Sequence, residues 1–223
     1  MSIKKHFRAV PWLDKLVDLL VVILGISIAF GINNWADGRK DARKKQRYLV
    51  SLSNDLRVDS VALVTHRRGL ENLRDAIDTL QALTYRRNLL KADTIAKTIM
   101  KLGSGGFFTP EDYTYRALQQ TGDFSLLSDD SLQIAVAKLY DTYEDLLVFE
   151  DIYKTVMFDY VIPYNFNYNF RTGEMLDPEL YFQPKMSEVL GGLDSNTGAR
   201  LKMTTRAQEQ VASIRQLISE ELD

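Results

Sequence analysis

The sequence predicts an all-α protein: one transmembrane helix near the N-terminus continues into a long helix and a soluble helical bundle. Three observations point there. Leu16 to Trp35 is an apolar run of twenty residues. Apolar residues recur at three- and four-residue spacing beyond it. No proline falls between Pro11 and Pro110. At 1.5 Å per residue, ~20 helical residues reach about 30 Å, the hydrocarbon thickness of a bilayer.

Charge follows the same division. Over all 223 residues, 28 Lys/Arg face 30 Asp/Glu, a formal net of −2. Residues 1–47 hold ten Lys/Arg and four Asp, a net of +6, and the remaining eighteen Lys/Arg and twenty-six Asp/Glu make −8. The near-balance is a cancellation between a basic head and an acidic body. An acidic body argues against nucleic acid as a partner. With no cysteine, a disulfide framework, a thiol nucleophile and a cysteine-ligated zinc are excluded. His6 and His66 are the two histidines, too few for a histidine-based metal centre.

The N-terminal tail, residues 1–15, is basic through Lys4, Lys5, Arg8 and Lys15. The transmembrane helix, 16–35, holds fourteen residues without a charge from Leu19 to Ile32. Trp12 and Trp35, the only tryptophans, bracket it as interfacial anchors do. Asn33-Asn34-Trp35 is a poor signal-peptidase site, which favours a retained anchor. A buried soluble helix is the competing reading, because the uncharged stretch is short. Gly25 with Ala29, and Ser27 with Gly31, repeat the small-xxx-small spacing that lets membrane helices approach closely. Asp18 is a candidate intramembrane carboxylate. The favoured alternative is an interfacial Asp near the helix N-terminus, close to Lys15.

The juxtamembrane helix, 36–47, adds Arg39, Lys40, Arg43, Lys44, Lys45 and Arg47. Its cations outnumber those of the tail, which leans toward a cytoplasmic body by the positive-inside rule. That margin is two charges, and the side of the membrane stays open.

The soluble domain, 48–223, begins with Leu49, Leu52, Leu56, Leu63, Leu70, Leu73, Ile77 and Leu80 in heptad-like alternation, so α-helix is expected to about Leu83. Asp59 and His66 occupy the two slots that break it. His66 reads as a satisfied buried or boundary histidine. Val58, Val61, Val64 and Ala62 widen the apolar face and point to bundle packing. A helix is expected over Asp93–Leu102, then a loop at Gly103–Gly106 that lacks the Lys-Ser/Thr end of a phosphate loop. Thr109-Pro110 is expected to open a helix running to Thr121, ended by Gly122. Ser128-Asp129-Asp130 caps a long helix from Leu132 to about Val161, stopped by Pro163. The paired acids Asp129/Asp130, Glu144/Asp145 and Glu150/Asp151 read as caps or solvated faces.

Tyr164, Phe166, Tyr168 and Phe170 alternate with asparagines, the period of an extended segment. They form either an exposed recognition strip or a connector that lays its aromatics on the bundle. Gly191 to Gly198 is expected to be a loop, and Ala199 to Leu222 a final amphipathic helix.

Gly25-Ile26-Ser27-Ile28-Ala29, Asn33-Asn34-Trp35 and the set Leu49, Leu52, Asp55 and Leu56 carry a resemblance. They are similar to the opening of a family of uncharacterised bacterial single-pass membrane proteins. Leu118-Gln119-Gln120-Thr121-Gly122-Asp123 with Leu126, Leu139 and Tyr140 resembles a second recurrent block. The resemblance implies a bacterial inner-membrane setting and no chemistry.

No nucleophile motif, metal-ligand spacing or dinucleotide fingerprint occurs. The expectation is therefore a non-catalytic, membrane-anchored interaction or scaffold protein, with no cofactor and no small-molecule substrate. Its partners would be the lipid bilayer and a second copy or another membrane protein. The alternative is an accessory subunit of an ion-driven membrane complex that uses Asp18.

Overall fold

The computed structural model describes residues 11–87, 89–103, 105–127, 129–169 and 171–222, without the side chains of residues 11, 13, 14 and 89. Helix α1 spans Pro11–Tyr85. A 3-10 turn, Leu89–Lys91, leads into α2, Ala92–Leu102, and α3 spans Tyr113–Thr121. After a second 3-10 turn, Asp123–Leu126, come α4, Asp130–Val156, a π-helical turn Met157–Val161, and the short α5, Ile162–Asn165. Strands β1, Tyr168–Asn169, and β2, Glu174–Met175, pair antiparallel with Tyr168 opposite Met175. A 3-10 turn, Pro178–Phe182, precedes α6, Pro184–Leu222. The all-α expectation holds.

The chain divides into two compact units, one up to Arg47 and one from Tyr48. In the first, the large apolar side chains from Leu16 to Trp35 all face outward, from 47% exposed at Leu16 to 65% at Ile26 and Phe30. A helix of a soluble core buries an apolar stripe. This one buries none, so the buried-helix reading fails. The helix is long and apolar enough to span a membrane.

In the second unit, α1, α4 and α6 build two apolar clusters. Leu52, Leu56 and Leu63 of α1 meet Leu118 of α3, Leu132, Val136 and Leu139 of α4, and Val211, Ile214 and Ile218 of α6. Leu70, Leu73, Ile77 and Leu80 of α1 meet Ile95 and Ile99 of α2, Tyr153 of α4, and Leu190 and Leu193 of α6. Ascending residue numbers in α1 and α4 run from the first cluster to the second, whereas α6 runs back. Two long helices are therefore parallel, and the third is antiparallel to both. The α1 heptad residues are buried as the periodicity requires, but Val58, Val61 and Val64 are 43%, 66% and 52% exposed. They lie outside the packed face because the narrow leucine seam already fills the space against α4 and α6.

Three other expectations are corrected. Thr109-Pro110 does not open a helix: α3 begins at Tyr113, with Asp112 at the N-cap position. Its capping carboxylate comes from another helix, since Asp55 Oδ2 accepts the Thr114 N–H at 3.3 Å. Gly191 to Gly198 is helical throughout, inside α6. Leu193 and Thr197 are buried on that stretch, and tertiary packing overrides the low helix propensity of glycine. The 164–170 segment is not extended along its length. Tyr164 lies within α5, Phe166 and Asn167 turn, and among the described residues of the segment only Tyr168–Asn169 is strand.

Pro163 does not end α4 directly. Its missing N–H leaves the backbone without an α-helical partner for the Asp159 carbonyl. The chain passes through the π turn, where the Ile162 N–H bonds the Met157 carbonyl, and then resumes as α5.

Candidate functional site

Between the two apolar clusters lies a layer of buried polar side chains. α1 contributes His66, 4% exposed, between Leu63 and Leu70. α4 contributes Glu150, 1% exposed, between Leu146 and Tyr153, and α6 contributes Arg200 and Thr204, both 0% exposed, between Leu193 and Ala207. Each helix places its polar residue one or two turns from the leucines on its buried face, so all three converge at one level.

Glu150 Oε1 is the hub. It lies 3.0 Å from His66 Nε2, accepts the Phe108 N–H at 3.0 Å, and lies 3.7 Å from Arg200 Nη2. A carboxylate oxygen only accepts, so this contact is a hydrogen bond in the tautomer with a proton on Nε2, and Arg200 Nη2 also lies 3.4 Å from Nε2. On the other side of the ring, His66 Nδ1 lies 3.1 Å from Thr204 Oγ1, whose hydroxyl bonds the Arg200 carbonyl at 2.8 Å. Arg200 Nη2 donates to the Gly106 carbonyl at 3.0 Å, and its guanidinium carbon sits 4.6 Å from the Tyr153 ring centre. Burial pulls the Arg200 guanidinium below its ordinary value, and the Glu150 charge pushes it back up. Burial also drives the Tyr153 hydroxyl up to about 12, against the pull of Arg200.

The glycine loop reaches this layer at Gly105, which carries no side chain. A Cβ on Gly69 of α1 would meet the Gly105 carbonyl oxygen at 3.0 Å, and a Cβ on Gly105 would meet Leu73 Cδ2 at 3.0 Å. The close approach presents the Gly106 carbonyl to Arg200 and the Phe108 N–H to Glu150. The stretch works as a structural loop threaded onto the bundle.

Asp59 makes a second buried polar contact, 0% exposed between Leu56 and Leu63. Its Oδ1 accepts the Glu111 N–H at 2.8 Å and its Oδ2 accepts the Tyr143 hydroxyl at 2.9 Å. Burial pushes its carboxyl up to about 6, and the hydrogen bonds from Glu111 and Tyr143 only partly oppose this. Burial pushes the Tyr143 hydroxyl upward too, and the adjacent Asp59 adds to it.

Glu150–His66–Thr204 has the order of a carboxylate, an imidazole and a hydroxyl, as in a nucleophile triad. Access decides against that use. Thr204 is fully buried in mid-helix and its proton is committed to the Arg200 carbonyl. No face of the hydroxyl meets solvent, so no reacting atom can approach it. Among the described residues, no group of three or more His, Cys, Asp or Glu is placed to hold a metal.

The residues singled out from sequence fall in different places. Trp12 and Trp35 are 59% and 63% exposed, and the Arg39 guanidinium carbon sits 5.0 Å from the centre of a Trp35 ring. Gly25 and Gly31 have open space where a Cβ would stand, and Ser27 and Ala29 share this exposed helix, as does Asp18. Tyr164 and Tyr168 are buried in the second cluster, whereas Phe166 is 77% exposed. They do not form one exposed strip, and Phe170 lies outside the described residues. Asn167 is pinned rather than solvated: its Oδ1 accepts the Asp177 N–H at 2.8 Å and its amide donates to the Asp177 carbonyl at 2.6 Å.

Glu150 and Arg200 were not legible as partners of His66. In the sequence Glu150 pairs with Asp151 as an acidic doublet of the kind that caps a helix or faces water. Only Asp151 faces solvent, because the buried stripe of α4 passes through Leu146, Glu150 and Tyr153. The one signal in the sequence was His66 standing in a leucine slot.

A model of a family of unknown function (DUF6090) matches residues 18–163. The chain belongs to that family. No curated protein and no solved structure matches the chain.

Proposed function

We propose, with membership of that family as the premise, that the chain is a non-catalytic interaction or scaffold protein anchored in a bacterial inner membrane. The observation that carries this reading is the contrast along one chain. The apolar helix from Leu16 to Trp35 is exposed on all faces, whereas the residues from Tyr48 onward close their own core. Exposing so much apolar surface to water costs about 25 cal/mol per Å2, a cost that a bilayer removes.

The absence of a catalytic role is supported by the inaccessible Thr204 hydroxyl and by the use of Glu150 as a hydrogen-bond hub. What the body offers outward is surface. Val58, Val61 and Val64 form an exposed row on α1, and Val148 and Ile152 form a second on α4. The test is extraction of the full chain in mild detergent, followed by mass spectrometry of the native complex. A discrete oligomer or a stoichiometric membrane partner supports the reading. A monodisperse monomer without a partner contradicts it.

The reading as an accessory subunit of an ion-driven complex rests on Asp18 alone. That residue is exposed near the start of the apolar run.

A further inference from the structure

Past Trp35 the first unit carries a charge pattern that anchoring alone does not require. Arg39, Lys40, Arg43 and Arg47 are exposed and stand at i, i+1, i+4 and i+8 on α1. At 3.6 residues per turn these four share one side of the helix. Asp37 and Asp41, the acids of the same stretch, fall on turns facing away from it, and the Asn33 amide donates to Asp37 Oδ2 at 3.2 Å. Lys44 and Lys45, on the other sides of the helix, are half-buried, so the exposed cations of this stretch lie along one stripe.

We propose that this stripe binds the phosphate headgroups of anionic lipids at the membrane face where α1 emerges. The proposal rests on the membrane-spanning reading of Leu16 to Trp35 and adds a lipid class to it. Three things support it. The Trp35 indole marks the polar edge of the apolar run, where tryptophan sits at headgroup level. Arg39 is stacked on that indole, 5.0 Å from a ring centre, so the first cation of the stripe stands at the same height. Lys40 and Arg43 follow within about 12 Å of Trp35 along the axis, close to the Debye length of about 8 Å. Guanidinium groups also match phosphate oxygens in two-point geometry, which favours a phosphate over a diffuse negative surface. An acidic protein surface would not explain why the stripe begins on the interfacial tryptophan.

The full chain, reconstituted with equal phosphatidylethanolamine and phosphatidylglycerol and then stripped in mild detergent, gives the test. Retained lipids are counted by native mass spectrometry. At low salt, phosphatidylglycerol should exceed phosphatidylethanolamine by about tenfold or more, since each well-placed cation contributes roughly fivefold. High salt and the combined variant R39Q/K40Q/R43Q/R47Q should each remove the preference. Equal retention of the two lipids overturns the proposal. So does a preference that survives the four substitutions, or one that inorganic phosphate abolishes at matched concentration. Carbonate extraction separates the two levels. A wild-type chain released by carbonate removes the anchoring reading and this proposal with it. A chain that stays in the membrane without lipid preference removes only this proposal.

Discussion

His66 Nε2 of α1 lies 3.0 Å from Glu150 Oε1 of α4, in the plane where the two apolar clusters of the bundle meet. The same carboxylate oxygen holds the Phe108 N–H of the glycine loop, and Arg200 of α6 comes within 3.7 Å of it. Three helices and a loop are tied at one level by one acceptor. An apolar layer could shift by a turn at little cost, whereas this one has a single hydrogen-bonded register. The layer is also incompletely satisfied: Glu150 Oε2 and Arg200 Nε and Nη1 have no hydrogen-bond partner among the described residues. It therefore fixes alignment at the expense of stability.

Removing one member should be far worse than removing all. Glu150→Leu leaves the Arg200 guanidinium buried without its counter-charge and should destabilise the full chain by about 3–5 kcal/mol. The combined variant H66L/E150L/R200M should recover most of that loss, because no unpaired charge remains. Denaturant unfolding of the three proteins in detergent checks this. If the triple variant is as unstable as the single one, the layer is not a costly electrostatic device.

Asp59 should make stability fall with rising pH. Its carboxyl moves from 3.8 up to about 6 in the folded chain, so the native state holds the proton more tightly than the unfolded state. Its contribution is full below pH 3.8 and is lost as pH rises through about 6. The loss amounts to about 3 kcal/mol, at 1.36 kcal/mol per pKa unit. Asp59→Asn keeps an oxygen for the Glu111 N–H and removes the titration. The difference in Tm between wild type and D59N should therefore change in the variant's favour from pH 4 to pH 7.5. A constant difference across that range would contradict the account.

The glycines should separate by location. Gly69→Ala drives a methyl into the Gly105 carbonyl and should cost about 1–3 kcal/mol. Gly191→Ala, in the interior of α6 with open space at the Cβ position, should stabilise by about 0.5–1 kcal/mol. Thermal melts of the two variants suffice. A destabilising Gly191→Ala would mean that this part of α6 is not helical in solution.

Asp18→Asn should leave assembly and any phenotype of the wild-type strain unchanged, as expected of an interfacial carboxylate on a scaffold protein. Loss of a co-purifying partner on this substitution would favour the ion-driven reading instead.

The elements built on leucine periodicity were legible: α1 is helical to Tyr85 against an expected end near Leu83, and α2 starts one residue before Asp93. Periodicity failed where local chemistry and packing disagree. Gly191 to Gly198 carries glycine at three positions, yet its buried face holds it in α6. The Tyr/Asn alternation from Tyr164 imitates a strand, but Tyr164 and Tyr168 enter the core from different elements. The polar layer stayed hidden for a further reason. Glu150 and Arg200 are long charged residues on helices that alternate polar and apolar positions, and only their convergence on His66 distinguishes them from solvated neighbours. The three lie far apart in the chain, and spacing within one helix carries no information about a partner on another.

The central claim is that Leu16 to Trp35 crosses a bilayer, and the absence of cysteine from the chain gives a direct measurement. Single cysteines are introduced by Ser2→Cys, ahead of the apolar run, and Ser51→Cys, on an exposed position beyond it. Each is treated with a membrane-impermeant maleimide in sealed, right-side-out vesicles, and again after the vesicles are opened. The expected result is reciprocal protection: one cysteine reacts in sealed vesicles, and the other reacts only after opening. Labelling of both cysteines from the same side would contradict the account.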